Sequence, residues 1–171
     1  RFTKQKNFQY LIKEFSSISK KYSDYKLILI GDGELREKLV KLIIKFDLRE
    51  KVIMTGYKEN VFEYLAKSEA FIMTSYWEDP GFVLIESAIS NVNIISSNCP
   101  NGPKDFFEHN ENMGFKLDTF NEGELLKTFE KFIKSSEIKK NQNRINSKIY
   151  AKNYSYYHHF KRLNALLNDL N

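Results

Sequence analysis

The chain is poor in the residues that build special-purpose architectures. A single cysteine, Cys99, among 171 residues excludes an intramolecular disulfide and a cysteine-cluster metal site, and makes a reducing compartment, the cytoplasm, the expectation. Seven glycines and three prolines leave no room for a collagen-like or Pro/Gly-driven disordered chain. No apolar run reaches the roughly 18–20 residues that a membrane-spanning helix needs, and the mean hydropathy is −0.51. None of His109, His158 and His159 is spaced with a cysteine or a second histidine as metal ligands are, so all three read as surface residues. Gly31-Asp32-Gly33 lacks the third glycine of a dinucleotide fingerprint, because Arg36 stands in its place. The opening Arg1-Phe2-Thr3-Lys4 has neither methionine nor an apolar signal region, and reads as the interior of a longer chain.

What is present describes one globular domain, long enough to bury a real core. Basic residues outnumber acidic ones 27 to 22, for a net charge of +5. Mild basicity suits phosphate-bearing partners such as nucleotides or anionic lipid, and equally serves solubility. The fourteen phenylalanines and ten tyrosines read mostly as core, not as a stacking platform for nucleic acid.

Hydrophobic spacing supplies the elements. Phe8, Leu11, Ile12, Phe15 and Ile18 predict an amphipathic helix, and Tyr25-Lys26-Leu27-Ile28-Leu29-Ile30 a short buried strand. Leu35, Leu39, Leu42, Ile43 and Phe46 return to helical period before a strand at Val52-Ile53-Met54-Thr55. A short helix around Val61, Phe62 and Leu65 leads to the strand Ala70-Phe71-Ile72-Met73-Thr74. A helix over about 82–90 precedes the strand Val92-Asn93-Ile94-Ile95-Ser96, then a short helix near 104–108 and a short strand Gly114-Phe115-Lys116-Leu117. Leu125, Leu126, Phe129, Phe132 and Ile133 mark another helix. From about Glu137 the chain reads as helical, with Tyr154, Tyr157, Phe160, Leu163, Leu167 and Leu170 as a buried face. Short apolar strands alternating with helices imply βαβ units: an α/β fold with a Rossmann-like parallel sheet covered on both faces.

Such sheets bind ligands at the carboxyl ends of their strands, where residues 31–34, 56–60 and 76–81 form loops. The stretch Ser75-Tyr76-Trp77-Glu78-Asp79-Pro80-Gly81-Phe82-Val83-Leu84-Ile85-Glu86 carries the most chemistry. A helix beginning near Pro80 or Gly81 would point the free N–H groups of Gly81, Phe82 and Val83 outward, a ready anion site. Glu78 and Glu86 would border one pocket, and a carboxylate suits the vicinal hydroxyls of a sugar. The plainer alternative is an Asp79 N-cap with Pro80 at the first helical position and a solvated Glu86.

Two glutamates with seven residues between them, a glycine-aromatic-aliphatic helix start among these, resemble the nucleotide-sugar loop of retaining GT-B glycosyltransferases, family 4 in particular. Arg1 and Lys6 match that family's basic pair. Leu29-Ile30-Gly31-Asp32-Gly33 with Glu34 and Leu35 is similar to its strand-turn-helix. Residues 52–56 resemble the next strand and glycine, and residues 94–103, ending Asn98-Cys99-Pro100-Asn101-Gly102-Pro103, the strand and glycine loop after the glutamate helix. The matches keep their order from residue 1 to about 108; the tail is similar only in being helical.

The resemblance implies that residues 1–171 are the donor-binding, C-terminal half of a GT-B enzyme, inactive alone, whose acceptor-binding N-terminal domain lies outside this chain. Arg1 and Lys6 would neutralise the donor diphosphate. Glu78 would contact the transferred sugar, and Glu86 the ribose hydroxyls. The Gly81, Phe82 and Val83 amides would support sugar and phosphate, with Gly31 and Gly33 joining through their turn and Tyr57 and Lys58 lying against the base. The donor would be UDP-linked by the family's commonest usage, with GDP and ADP open, and the acceptor a glycan or lipid-linked glycan. No two aspartates stand two apart, so a metal-independent reaction without a resident cofactor is expected. Lys139, Lys140, Arg144, Lys148 and Lys152 form a basic stretch that reads as a solvated helix face or as peripheral contact with an anionic membrane. A nucleotide-sensing module without transferase activity, and a structural domain docking on membrane, are the alternative readings.

Overall fold

The computed structural model describes residues 1–168. Five short strands, β1 (Leu27–Ile30), β2 (Val52–Gly56), β3 (Ala70–Met73), β4 (Asn93–Ser97) and β5 (Phe115–Leu117), alternate with helices. These are α1 (Phe8–Lys21), α2 (Arg36–Lys45), α3 (Phe62–Leu65), α4 (Phe82–Ile89) and α5 (Gly102–His109). Then follow α6 (Glu124–Lys134), α7 (Glu137–Ala151) and α8 (Tyr156–Asn168). Every strand pair is parallel, as short apolar strands joined by helical crossovers require.

Two cores lie on opposite faces of the strands. One gathers Leu11, Ile12, Phe15 and Ile18 of α1 with residues of α2 and α6 against β1, β4 and β5. The other packs α4, α5 and the end of α7 against β3 and β4. The period of two in a strand is visible in β4, where Ile95 enters the first core and its neighbour Ile94 the second.

The structure differs from the sequence-based expectation in two places. The strands form two sheets, β1-β2 and β3-β4-β5, instead of one. The final helix also buries none of its described residues. Tyr157, Phe160, Leu163 and Leu167 are 45–60% exposed, whereas a buried face was predicted, and Leu170 lies outside the described residues. The physical reason is a change of direction. Tyr150 and Ala151 at the end of α7 still enter the second core, and the 3-10 turn Lys152–Tyr154 then leads into α8, none of whose described residues belongs to either core. The basic stretch is only partly a solvated face. Arg144 Nη1 donates to Asn93 Oδ1 at 3.1 Å, Lys139 bonds Asn112, and Lys140 lies over the Phe132 ring.

Ile12 is fully buried in the first core. Ile12→Ala is expected to cost about 3 kcal/mol, read as a lower urea midpoint with unchanged slope.

Candidate functional site at the carboxyl edge of the strands

The site is assembled from the amino-terminal segment and two strand-to-helix loops. Residues Lys4–Lys6 form a 3-10 turn, closed by Asn7 in the left-handed region and by the Asn7 N–H donating to the Lys4 carbonyl. This turn is held from the end of β3. Thr74 Oγ1 lies 3.3 Å from the carbonyl oxygens of both Lys6 and Asn7. Tyr76 N–H donates to the Gln5 carbonyl at 2.9 Å, and Gln5 Nε2 donates to the Trp77 carbonyl at 2.7 Å.

These contacts bring Lys6 to Glu78, residues 72 positions apart. Lys6 Nζ donates to Glu78 Oε1 at 2.8 Å and to Oε2 at 2.6 Å. The Glu78 side chain is 3% exposed and that of Lys6 25%. A carboxylate so enclosed depends on its cation, because burying an unpaired charge costs several kcal/mol.

The loop bearing Glu78 rests on the loop after β4. Asn101 Nδ2 donates to the Glu78 carbonyl at 2.6 Å. A side chain at position 102 would place its Cβ 1.9 Å from the Pro80 carbonyl oxygen, so only glycine allows the two backbones to approach this closely. At Gly81 the chain turns through φ 78°, where it serves as the N-cap of α4. The helix therefore starts at Phe82, two residues later than an Asp79 cap would place it. The Leu84 N–H finds the Gly81 carbonyl at 2.9 Å. The amides of Phe82 and Val83 stand before the first intrahelical bond and face the anion-attracting end of the helix.

A cavity of about 710 Å³ opens here, its carboxyl-edge end lined by Arg1, Lys6, Thr74, Ser75, Glu78 and Val83. Ser75 Oγ is buried there without a hydrogen-bond partner, leaving a polar valence for a ligand. Cys99 lies buried behind the site, and burial pushes its thiol pKa up, which keeps it protonated and unreactive. Among the described residues, no three His, Cys, Asp or Glu side chains cluster so as to hold a metal ion.

Of the residues singled out from the sequence, the structure brings Arg1, Lys6, Glu78 and Val83 to one cavity. Glu86 is half-buried one turn into α4 and is not among the residues that line that cavity. Gly31 and Gly33 flank the backbone beside Arg1: Phe2 N–H donates to the Asp32 carbonyl at 2.8 Å, and Leu35 N–H to the Phe2 carbonyl at 3.1 Å. Gly81 is buried and Phe82 exposed. Tyr57, 78% exposed, and half-buried Lys58 follow β2 and are not among the cavity's lining residues. Gln5, Thr74, Ser75 and Asn101 escaped the sequence reading. Two faint signals pointed to them: polar Thr74-Ser75 closing an apolar strand, and Asn101 just before the Gly102-Pro103 helix start.

A cation, a buried carboxylate and free helix amides thus meet at the carboxyl edge of the parallel strands of a Rossmann-like domain, the place where such folds bind ligands. The chain belongs to the family described as Glycosyl transferases group 1, which matches residues 1–151, in agreement with the resemblance read from its motifs. It is 37% identical over 118 residues to an uncharacterized glycosyltransferase of Methanocaldococcus jannaschii, covering 69% of this chain and 29% of that protein. It is 29% identical over 140 residues to the N-acetylgalactosamine-N,N'-diacetylbacillosaminyl-diphospho-undecaprenol 4-alpha-N-acetylgalactosaminyltransferase of Campylobacter jejuni, covering 82% and 37%. The chain thus spans about a third of the length of these curated relatives. Its fold is shared with Anabaena HepE, solved with UDP, at a TM-score of 0.85 and 18% identity, covering 99% of this chain and 47% of that one.

Lys6→Met leaves Glu78 buried without a counter-charge. The expected loss is about 3 kcal/mol, the low end for a broken buried pair because Lys6 is partly exposed, measured by urea denaturation at neutral pH. Gly102→Ala forces the two loops apart and should cost about 2 kcal/mol or more, seen as a lowered thermal midpoint.

Proposed function

We propose that this domain holds the nucleotide-sugar donor of a retaining, metal-independent glycosyltransferase. The whole enzyme moves a hexose or N-acetylhexosamine to a glycan or lipid-linked acceptor. The observation that carries this reading is the Lys6–Glu78 pair, set beside the free amides of α4 at the strands' carboxyl edge.

Transfer breaks an anomeric C–O bond, so positive charge develops on the sugar ring and negative charge on the departing diphosphate. Fixed charges and dipoles aimed at those positions, in a water-poor cleft, lower the barrier. Lys6, Arg1 and the first turn of α4 take the diphosphate, and these cations do the work that a divalent metal does elsewhere. Glu78 holds Lys6 in place before the donor arrives and contacts the sugar once it is bound, while Ser75 Oγ offers a further hydrogen bond. Glu86 holds the ribose hydroxyls, and Tyr57 and Lys58 lie toward the base, both by resemblance to the family.

UDP is the favoured nucleotide because the Anabaena neighbour was solved with it. A lipid-linked acceptor is favoured because the name of the Campylobacter relative carries a diphospho-undecaprenol. Among the described residues no helix is long and apolar enough to cross a membrane, so such an acceptor is met at the bilayer surface, through the part of the enzyme outside this chain.

Calorimetric titration with UDP, GDP and ADP, with and without magnesium, tests the reading. One nucleotide should saturate the domain irrespective of magnesium, and Lys6→Ala should weaken it at least about tenfold, as loss of a charge-assisted contact does. Glu78→Gln should not weaken it, because it releases Lys6 to the phosphates. An obligatory divalent cation removes the metal-independent mechanism. Binding without any transfer by the enzyme that includes its acceptor half leaves a nucleotide-sensing module.

A further inference from the structure

The loop that carries Glu78 faces two ways. Ser75 and Glu78 are buried and line the cavity, while Tyr76 and Trp77 between them are 43% and 49% exposed and are not among its lining residues. The two rings are near-parallel, with centroids 6.5 Å apart and planes 26° from each other, so a flat ligand lying on one is aligned with the other. Single exposed aromatics are ordinary on a protein surface. Two aligned into one plate at the edge of a ligand site mark a surface that something covers.

The plate is braced from behind. The Tyr76 ring meets the Phe120 ring edge-on at 5.1 Å, and Phe120 meets Tyr10 edge-on at 5.2 Å. Tyr10 is fixed in turn, its hydroxyl donating to the Asn121 carbonyl and accepting the Leu125 N–H, both at 3.2 Å. The main chain is held as well, by the Tyr76 N–H to the Gln5 carbonyl and by Gln5 Nε2 to the Trp77 carbonyl. A row of rings thus runs from the start of α6 out to Trp77, and the exposed pair is ordered before any ligand arrives. A surface ordered in advance loses little entropy on binding.

We propose that Tyr76 and Trp77 form a stacking plate for a pyranose ring of the acceptor glycan, separate from the donor cavity and one residue from Glu78. The size of the plate argues for a small ring. Two half-exposed aromatic side chains offer about 200 Å², whereas a protein partner covers about 800 Å². A pyranose presents C–H bonds on its face and hydroxyls around its rim. The first suits the rings, and the indole N–H, the Tyr76 hydroxyl and the exposed carboxylate of Asp79 in the same loop suit the second. Because Ser75 and Glu78 face the cavity from the same four residues, a sugar on the plate lies next to the donor without occupying its place. The assignment to an acceptor rests on the donor reading above; the plate itself does not.

Trp77 is the only tryptophan of the chain, so its fluorescence reads the plate directly. Methyl glycosides of glucose, galactose and their N-acetylamino forms are titrated with and without UDP. At least one should move the emission to shorter wavelength and saturate, while sorbitol, which has the hydroxyls but no ring face, should not. The dissociation constant of that glycoside, read by saturation-transfer NMR, should rise about tenfold in Trp77→Ala, as loss of one aromatic contact does. Trp77→Phe should restore most of it. Gln5 holds Trp77 through the main chain, so Trp77→Ala keeps the loop in place, and its UDP affinity should equal that of the unsubstituted chain. Intact UDP affinity with no response to any glycoside overturns the plate and leaves the donor reading standing. Equal glycoside affinity in Trp77→Ala overturns it too. A response to UDP-sugar but to no free glycoside places the donor's own ring there and overturns the acceptor subsite. Emission that shifts with protein concentration alone makes the plate a contact between copies and overturns it as well.

Discussion

The buried carboxylate of Glu78 is the constraint around which this end of the molecule is arranged. A charge that is 97% enclosed needs a cation within reach, and the nearest is on a turn 72 residues earlier in the chain. To deliver it, the Lys4–Lys6 turn must lie across the end of β3, which is why Thr74, Gln5 and Tyr76 bond across that junction. The carbonyl of the same glutamate is fastened to the loop after β4 through Asn101. Three chain segments remote in sequence are fixed by the need to satisfy one acidic side chain, and the same need leaves a cation and a carboxylate poised at the strands' carboxyl edge.

The elements were legible because their hydrophobic periods are strong. α1, α2 and α6 each carry apolar residues three and four apart, and the strands are short apolar runs between turn residues. The beginning of α4 was less legible. Asp79-Pro80 has the chemistry of a helix start, yet Gly81 adopts the left-handed turn and moves the start to Phe82. Local preference was overridden by the close approach of the loop after β4 to the Pro80 carbonyl, a tertiary fact that no local pattern records. The stripe on α8 misled for a related reason: spacing shows that a helix has an apolar face, not that a core lies opposite it.

Site residues divide in the same way. Glu78 could be read because its loop follows a strand, where ligands bind in such folds, and Lys6 through its match to the family's basic pair. Gln5, Thr74 and Asn101 are ordinary polar residues, and their roles arise only when distant loops meet. Glu86 carried as strong a sequence signal as Glu78, yet it is not among the residues that line the cavity.

The contact between Gly102 and Pro80 has a further consequence. Because the two backbones touch without room for a methyl group, the loop holding Glu78 cannot be pressed toward α5 alone. It would have to carry with it the start of α5, whose Phe106 and Phe107 are packed into the second core. Interiors packed to crystal-like density resist such displacement. This side of the site therefore behaves as a rigid wall that does not yield toward α5.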